Sequence, residues 1–109
     1  MDKFSEIAYM LDFYGGLITD KQKKIMSYHY EEDMSLSEIS EILDTSRQAV
    51  HDIIKRSEKI LINYEKELGL VKRYLNMQDK LLVVKDLLLE YNELNIKKAI
   101  EYIDELIDV

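Results

Sequence analysis

Apolar residues recur at three- and four-residue steps along most of the chain, which is the spacing of amphipathic helices. The first predicted helix ends at the paired Gly15 and Gly16, and its apolar side comprises Phe4, Ile7, Leu11 and Tyr14. A second helix opens at Thr19, which is followed by Gln22 in the spacing of a capping box. Its apolar line consists of Ile25, Met26, His29 and Tyr30.

The third and fourth predicted helices are separated only by the short turn Asp44-Thr45. Ser35 and Glu38 have the spacing of a capping box for the third helix, whose inward residues are predicted to be Leu36, Ile39, Ile42 and Leu43. Thr45 or Ser46 caps the fourth helix, and Thr45 has the spacing of another capping box with Gln48. This helix is expected to run to Leu68 before Gly69 ends it. This spacing is typical of a helix-turn-helix, whose second helix enters the major groove of DNA.

Residues 70–109 predict two further helices with a break near residues 92–95. The segment from Leu81 to Leu89 is apolar around most of its circumference, whereas a surface helix shows a narrower stripe. It is therefore expected to be buried against the rest of the domain or against a second subunit. We divide the chain into a helix-turn-helix domain, residues 1–68, and a C-terminal helical extension, residues 69–109, which packs on the core or forms a dimer interface.

The composition supports an all-α fold, because the chain has no proline and only three glycines. The absence of cysteine excludes disulfides, thiolate nucleophiles and cysteine-based zinc sites. His29 and His51 lie far apart in sequence, so neither a metal nor any other cofactor is predicted, and His29 is expected to be a packed core histidine. No glycine-rich phosphate loop, nucleophile elbow or acid–base pair is present, and an enzyme is not expected.

The first residues, MDKFSEIAYMLDFYGG, carry acidic side chains at Asp2, Glu6 and Asp12. A signal peptide or a membrane span would need an uninterrupted apolar core at this place, so neither is predicted. We therefore expect a cytoplasmic protein.

The net charge of −7 and the pI of about 4.8 argue against strong non-specific binding to nucleic acid. The fourth helix is locally different when it is drawn on a wheel at about 100° per residue. Its apolar side is Ala49, Val50, Ile53, Ile54, Ser57, Ile60, Leu61 and Tyr64. Its other side is Arg47, Gln48, His51, Asp52, Lys55, Glu58 and Lys59, and four basic residues stand against two acidic ones between Arg47 and Lys59.

This side has the residue types of a DNA-reading helix. Arg47 and Gln48 lie near its N-terminus, where base edges are read, and the later basic residues suit phosphates. The predicted DNA-binding residues are Ser46, Arg47, Gln48, His51, Lys55, Arg56 and Lys59. Asp52 lowers the affinity for phosphates unless Arg56 pairs with it or it accepts a hydrogen bond from a cytosine amine.

The segment LITDKQKKIMSYHYEEDMSLSEISEILDTSRQAVHDIIKRSEKIL, residues 17–61, and the following YEKELGL resemble the YlxM family of small bacterial helix-turn-helix proteins. The helix-turn-helix part also resembles region 4 of bacterial sigma factors, in which the same Ser-Arg start opens the helix that reads promoter DNA. The resemblance implies an all-α fold with a sigma region 4-like or winged-helix-like core of three to four helices and a C-terminal helical extension.

Members of the YlxM family are commonly encoded beside the signal recognition particle GTPase. The resemblance thus implies a regulatory role or participation in that protein-targeting pathway. Two hypotheses follow. The first is a DNA-binding regulator that binds DNA specifically and weakly as a homodimer. The second is an interaction protein without a DNA role that binds the signal recognition particle GTPase, its receptor or its RNA.

Overall fold

The chain forms six α-helices in the computed structural model, which describes residues 1–107 and contains no strand among them. The helices are α1 (Lys3–Tyr14), α2 (Asp20–Tyr30), α3 (Leu36–Leu43), α4 (Arg47–Leu68), α5 (Leu70–Leu89) and α6 (Glu93–Ile107). A short 3-10 turn, Gly15–Leu17, follows α1. The predicted all-α fold is therefore confirmed, and α1 and α4 end at the predicted glycines.

The first of two compact units, Met1–Val71, contains α1 to α4, and the second begins at Lys72. In the first unit α4 packs against α1, α2 and α3. The buried apolar side chains of these helices are Ile7, Met10, Leu11, Tyr14, Ile25, Met26, Ile39, Val50, Ile54 and Leu61. Removal of this apolar surface from water is the main force that holds the unit together.

Side-chain caps begin the helices of the helix-turn-helix. The predicted capping boxes form at Thr19 and at Ser35. In each box, the cap hydroxyl accepts the backbone N–H of the residue three positions on. The side chain of that residue accepts the backbone N–H of the cap residue. Of the two candidates for the α4 cap, the structure uses Ser46, whose Oγ accepts the Ala49 N–H at 3.0 Å. The predicted capping box of Thr45 with Gln48 is therefore wrong, because the helix begins one residue later and the Gln48 amide bonds to Asp52. Asp44 closes α3 with a φ of 50°, so the chain turns within three residues between α3 and α4. Local bonds thus determine where α4 starts.

Ile42 and Phe4 of the first unit are exposed, although the sequence pattern predicts that they face inward. Ile42 is 56% exposed, whereas Ile39 on the same short helix is fully buried. Residues three positions apart differ in direction by only about 60° around a helix, so Ile42 lies at the edge of the side on which Ile39 is buried. Phe4 is 45% exposed at the start of α1, and its ring lies 4.6 Å from that of Tyr30 between centroids.

Hydrogen bonds tie the end of α4 to the beginning of α5. Gly69 has a φ of +63°, in the left-handed region that glycine tolerates best, and it ends α4. The hydroxyl of the buried Tyr14 donates to Glu65 Oε1 at 2.7 Å and accepts the Leu70 N–H at 3.0 Å. The same Glu65 oxygen accepts the Val71 N–H at 3.0 Å. These bonds satisfy two backbone donors that the first turn of α5 leaves without helical partners.

The second unit is a pair of helices with little buried apolar surface of its own. Val84 and Ala99 are its buried apolar residues, and the ion pair of Lys80 with Glu105 joins α5 and α6 at 2.9 Å. Several apolar side chains on α5 are exposed in the single chain, namely Leu81, Leu82, Val83, Leu88 and Leu89. Their burial against a second subunit stays a prediction. The break between the helices falls at residues 90–92, just before the predicted position. No helix that the structure describes is long and apolar enough to cross a membrane.

We predict that Tyr14→Phe destabilises the first unit by about 1–3 kcal/mol, because it removes a buried hydroxyl with two hydrogen-bond partners. Urea unfolding followed by circular dichroism measures the effect. Tyr91→Phe is the matched control, since that side chain is 85% exposed and its loss of a hydroxyl should be neutral. Equal stability of the two variants would contradict the role assigned to the Tyr14 hydroxyl.

Candidate nucleic-acid interface

The exposed side of α4 carries the residues that the sequence predicted to bind DNA. Ser46, Arg47, Gln48, Lys55, Arg56 and Lys59 are exposed and His51 is half-buried. We call the side formed by Arg47, Gln48, His51, Lys55, Arg56 and Lys59 the basic face. Its residues stay at the surface because the opposite side of the same helix is packed in the core.

Two adjoining hollows lie along this surface. The first is at the N-terminal end of α4 and is lined by Leu36, Arg47, Gln48 and His51. The second, which we call the basic groove, is lined by Lys3, His51, Asp52, Lys55, Arg56, Glu58, Lys59 and Ile62. His51 lines both of them, so the two hollows are neighbours along α4.

The start of α4 presents donors for an anion. Ser46 uses an oxygen lone pair to accept the Ala49 N–H, which leaves its hydroxyl hydrogen to donate. The amide groups of the first turn point outward along the helix axis, where the helix dipole favours negative charge. Arg47 follows directly in the sequence and is exposed. This end of the helix can therefore accommodate an anion such as a phosphate beside Arg47.

Asp52 has different partners from the one that the sequence suggested. The side-chain amide of Gln48 donates to Asp52 Oδ1 at 2.9 Å, and His51 Nδ1 lies 3.5 Å from the same oxygen. Gln48 is one turn before Asp52, which is the spacing at which helical side chains meet. The predicted pairing partner was Arg56, one turn after Asp52. The carboxylate thus holds the Gln48 amide in place while it keeps its negative charge.

Glu58 is buried, although the helical wheel places it on the exposed side. Its side chain is 8% exposed, and its Oε1 accepts a hydrogen bond from the Tyr30 hydroxyl. Its Oε2 lies 3.8 Å from Lys3 Nζ and 3.6 Å from Lys55 Nζ. The wheel fails here because α1 and α2 cover the edge of α4. Towards solvent, this part of the surface therefore presents the ammonium groups of Lys3 and Lys55 and not the Glu58 carboxylate.

The structure adds residues that sequence reasoning missed. Lys3, Leu36 and Ile62 line the two hollows, and none was a candidate. Lys3 lies more than forty positions before the basic face in the sequence, so only the packing of α1 on α4 brings it there. The half-buried position of Ile62 beside polar residues has no local sequence signal. Contacts between helices bring these residues to the hollows, and the periodicity of the sequence does not reveal such contacts.

The basic residues that open α2 lie in a different hollow. Lys21 and Lys24 line it together with residues of the helix-turn-helix turn, including Thr45. Lys24 Nζ lies 5.9 Å from the centre of the Tyr28 ring, within the range of a cation–π contact. These lysines are separate from the basic groove.

His29 is packed against its neighbours, as the sequence predicted, but it is half-buried and does not lie in the core. Its Nδ1 lies 2.9 Å from the Met34 carbonyl oxygen, and its ring meets that of Tyr30 edge-on at 4.9 Å between centroids. A carbonyl oxygen can only accept, so Nδ1 carries a hydrogen in this contact. His29 therefore stabilises the end of α2, next to the tyrosine that contacts Glu58.

Tyr30 should make the protein sensitive to alkali. Burial, and then the hydrogen bond to Glu58, raise the pKa of Tyr30 well above its ordinary value of 10.0. As the pH rises, Tyr30 ionises in the unfolded chain before it ionises in the folded chain. The stabilisation is therefore complete below about pH 10 and is lost as the pH rises further.

We predict that the wild-type melting temperature falls more steeply between about pH 9.5 and about pH 11 than that of Tyr30→Phe. Tyr91→Phe serves as the control and should follow the wild type. Identical slopes for Tyr30→Phe and the wild type would show that the Tyr30 hydroxyl contributes nothing.

A four-helix core in which a short turn joins α3 to an α4 with an exposed basic face defines a helix-turn-helix protein. The match to known families agrees with this class. Residues 1–106 match the family UPF0122, described as "Putative helix-turn-helix protein, YlxM / p13 like". The chain belongs to this family, which confirms the resemblance seen in the sequence.

Relatives of similar length support the assignment. The chain is 41% identical to a UPF0122 protein of Bacillus mycoides over 108 residues, which cover 97% of this chain and 98% of the relative. It is 38% identical over 113 residues to a UPF0122 protein of Clostridium acetobutylicum, with 97% and 92% covered. A UPF0122 protein of Caldanaerobacter subterraneus is 49% identical over 85 residues, with 78% and 73% covered.

Proposed function

We propose that this protein is a DNA-binding regulator that reads a specific sequence with α4. The observation that carries the proposal is the exposed basic face, which begins at the capped N-terminus of a helix-turn-helix and continues into the basic groove. Arg47 and Gln48 are assigned to base edges in the major groove. Ser46 and His51 support the first contacts, and Lys55, Arg56 and Lys59 bind backbone phosphates.

The acidity of the whole chain is consistent with specific and weak binding. A net charge of −7 repels the polyanion at long range and lowers non-specific affinity. Positive charge is concentrated on one side of one helix, where Glu58 is covered. Association should therefore depend on short-range contacts in the groove more than on the overall field.

Dimerisation through the second unit would raise this weak affinity. Leu82 and Leu89 are 60% and 76% exposed, and apolar side chains of α6 such as Ile100 are also exposed. A helix pair with so few buried apolar residues gains most of its stability from a partner surface of similar apolarity. A second copy of the chain offers such a surface, and a dimer reads two half-sites. The C-terminal extension is accordingly proposed as a homodimer interface.

A second candidate function is binding to a component of the signal recognition particle pathway, namely its GTPase, receptor or RNA. The exposed acidic residues Glu31, Glu32 and Asp33 between α2 and α3 favour a basic protein partner. Because YlxM proteins are commonly encoded beside the signal recognition particle GTPase, a component of that pathway is the proposed partner. For a protein partner, the GTPase or its receptor, the helix-turn-helix would be a scaffold and the acidic loop the contact.

We predict that Arg47→Ala weakens binding to a selected DNA site by about 1–3 kcal/mol and relaxes its sequence preference. Lys59→Ala should weaken binding equally for all sequences and lower the salt dependence, because it removes a phosphate contact. Selection from genomic fragments followed by salt-titrated fluorescence anisotropy measures both effects. Lys66→Ala, an exposed lysine in the last turn of α4, is the control and should bind like the wild type.

The same titration decides between the two functions. Selection of DNA fragments by the wild type, with loss in Arg47→Ala, supports the regulator. Absence of DNA binding at every salt concentration would contradict it. Binding to signal recognition particle RNA or GTPase in parallel samples would then support the second candidate.

We predict that the protein is a dimer at micromolar concentration and that Leu82→Glu converts it to a monomer, because a carboxylate would be placed in an apolar interface. Sedimentation equilibrium measures the mass. Leu17→Glu makes the same change at a 55% exposed leucine of the first unit and should leave the dimer intact. A monomeric wild type, or a Leu82→Glu variant that stays dimeric, would contradict the proposal that the second unit forms the dimer interface.

A further inference from the structure

Lys3 and Lys55 come from different helices and share one carboxylate oxygen. Lys3 lies in the first turn of α1 and Lys55 in the middle of α4. Oε2 of Glu58 is 3.8 Å from Lys3 Nζ and 3.6 Å from Lys55 Nζ. All three residues line the basic groove. The packing of α1 on α4 therefore places a second helix at the wall of the proposed DNA site.

Charge and exposure in this cluster are unequally distributed. The Glu58 side chain is 8% exposed, whereas those of Lys3 and Lys55 are 68% and 56% exposed. The carboxylate is beneath the two ammonium groups, and its other oxygen accepts from Tyr30. Two positive charges outweigh one negative charge, and the positive ones face solvent. An approaching polyanion would meet the ammonium groups and not the carboxylate.

We propose that Lys3 is a backbone-phosphate contact for duplex DNA and that Glu58 is a positioning residue which holds Lys3 beside Lys55. This inference rests on the proposed function, because it extends the same DNA site from α4 to α1. A lysine side chain loses considerable rotamer entropy when it binds. The Glu58 carboxylate restricts both lysines before DNA arrives, which reduces that loss.

The contact carries no sequence information, since it is made to phosphate. Its expected effect is thus different from that of Arg47. Each phosphate contact contributes about 0.9 to the slope of log K against log salt concentration. Loss of Lys3 should lower this slope by about 1 and weaken binding at about 0.1 M salt by about tenfold, equally for selected and unrelated sequences.

The test uses the full chain and duplexes of about 20 base pairs in salt-titrated fluorescence anisotropy. Lys3→Ala is expected to show the reduced slope, Lys3→Arg to retain the wild-type slope, and Lys66→Ala to match the wild type. Circular dichroism checks that each variant is folded.

The positioning role is tested by measuring Lys3→Ala again in a Glu58→Gln background. There the loss of Lys3 should cost less than in the wild type. The amide that replaces the carboxylate keeps an acceptor for the Tyr30 hydroxyl, but it lacks the charge that holds the two lysines.

The outcomes separate the inference from the proposed function. If Arg47→Ala loses site selection but Lys3→Ala binds DNA with the same affinity and salt dependence as Lys66→Ala, the Lys3 contact is wrong. The proposed DNA-binding function is then still supported. A wild type that binds no DNA would overturn both. A Lys3→Ala effect of equal size in both backgrounds would overturn the role of Glu58 and retain Lys3 as a phosphate contact.

Discussion

The packing of the apolar side of α4 against α1, α2 and α3 is the constraint on which the first unit depends. Val50, Ile54 and Leu61 are buried along that side, and the same helix carries the basic face on its other side. A rotation of α4 about its axis would expose the apolar side chains and bury the basic ones. The hydrophobic effect therefore fixes the orientation of the charged side chains, and no separate scaffold is needed for the site.

Positions of charge on this surface depend on contacts between helices. Tyr30 on α2 and Lys3 on α1 both reach Glu58 on α4, so one buried carboxylate joins three helices. Removing a single partner from such a cluster leaves a buried charge less well compensated. Asp52, by contrast, is bonded to residues of its own helix. The two acids of α4 thus have different roles, one in tertiary structure and one in the arrangement of the groove.

Local signals in the sequence were sufficient for most of the helix boundaries, although Ser46 and not a box of Thr45 with Gln48 begins α4. The capping boxes at Thr19 and Ser35 and the glycine at position 69 all lie where the pattern predicts, because each depends on residues only a few positions apart. Burial at the edges of helices was harder to predict. Glu58 and Ile42 were misplaced, since neighbouring helices decide which edge of a helical wheel is covered. The contribution of Lys3 to the groove has the same origin and was missed for that reason.

The bonds at the end of α4 have a consequence for dividing the chain. Val71 is 4% exposed, and its N–H and that of Leu70 are bonded to Glu65 and Tyr14. A fragment that stopped at Leu68 would lose these donors and leave the buried hydroxyl and carboxylate with fewer partners. The shortest piece suited to crystallisation or to nuclear magnetic resonance as an isolated helix-turn-helix must therefore extend beyond Val71, into the first turns of α5.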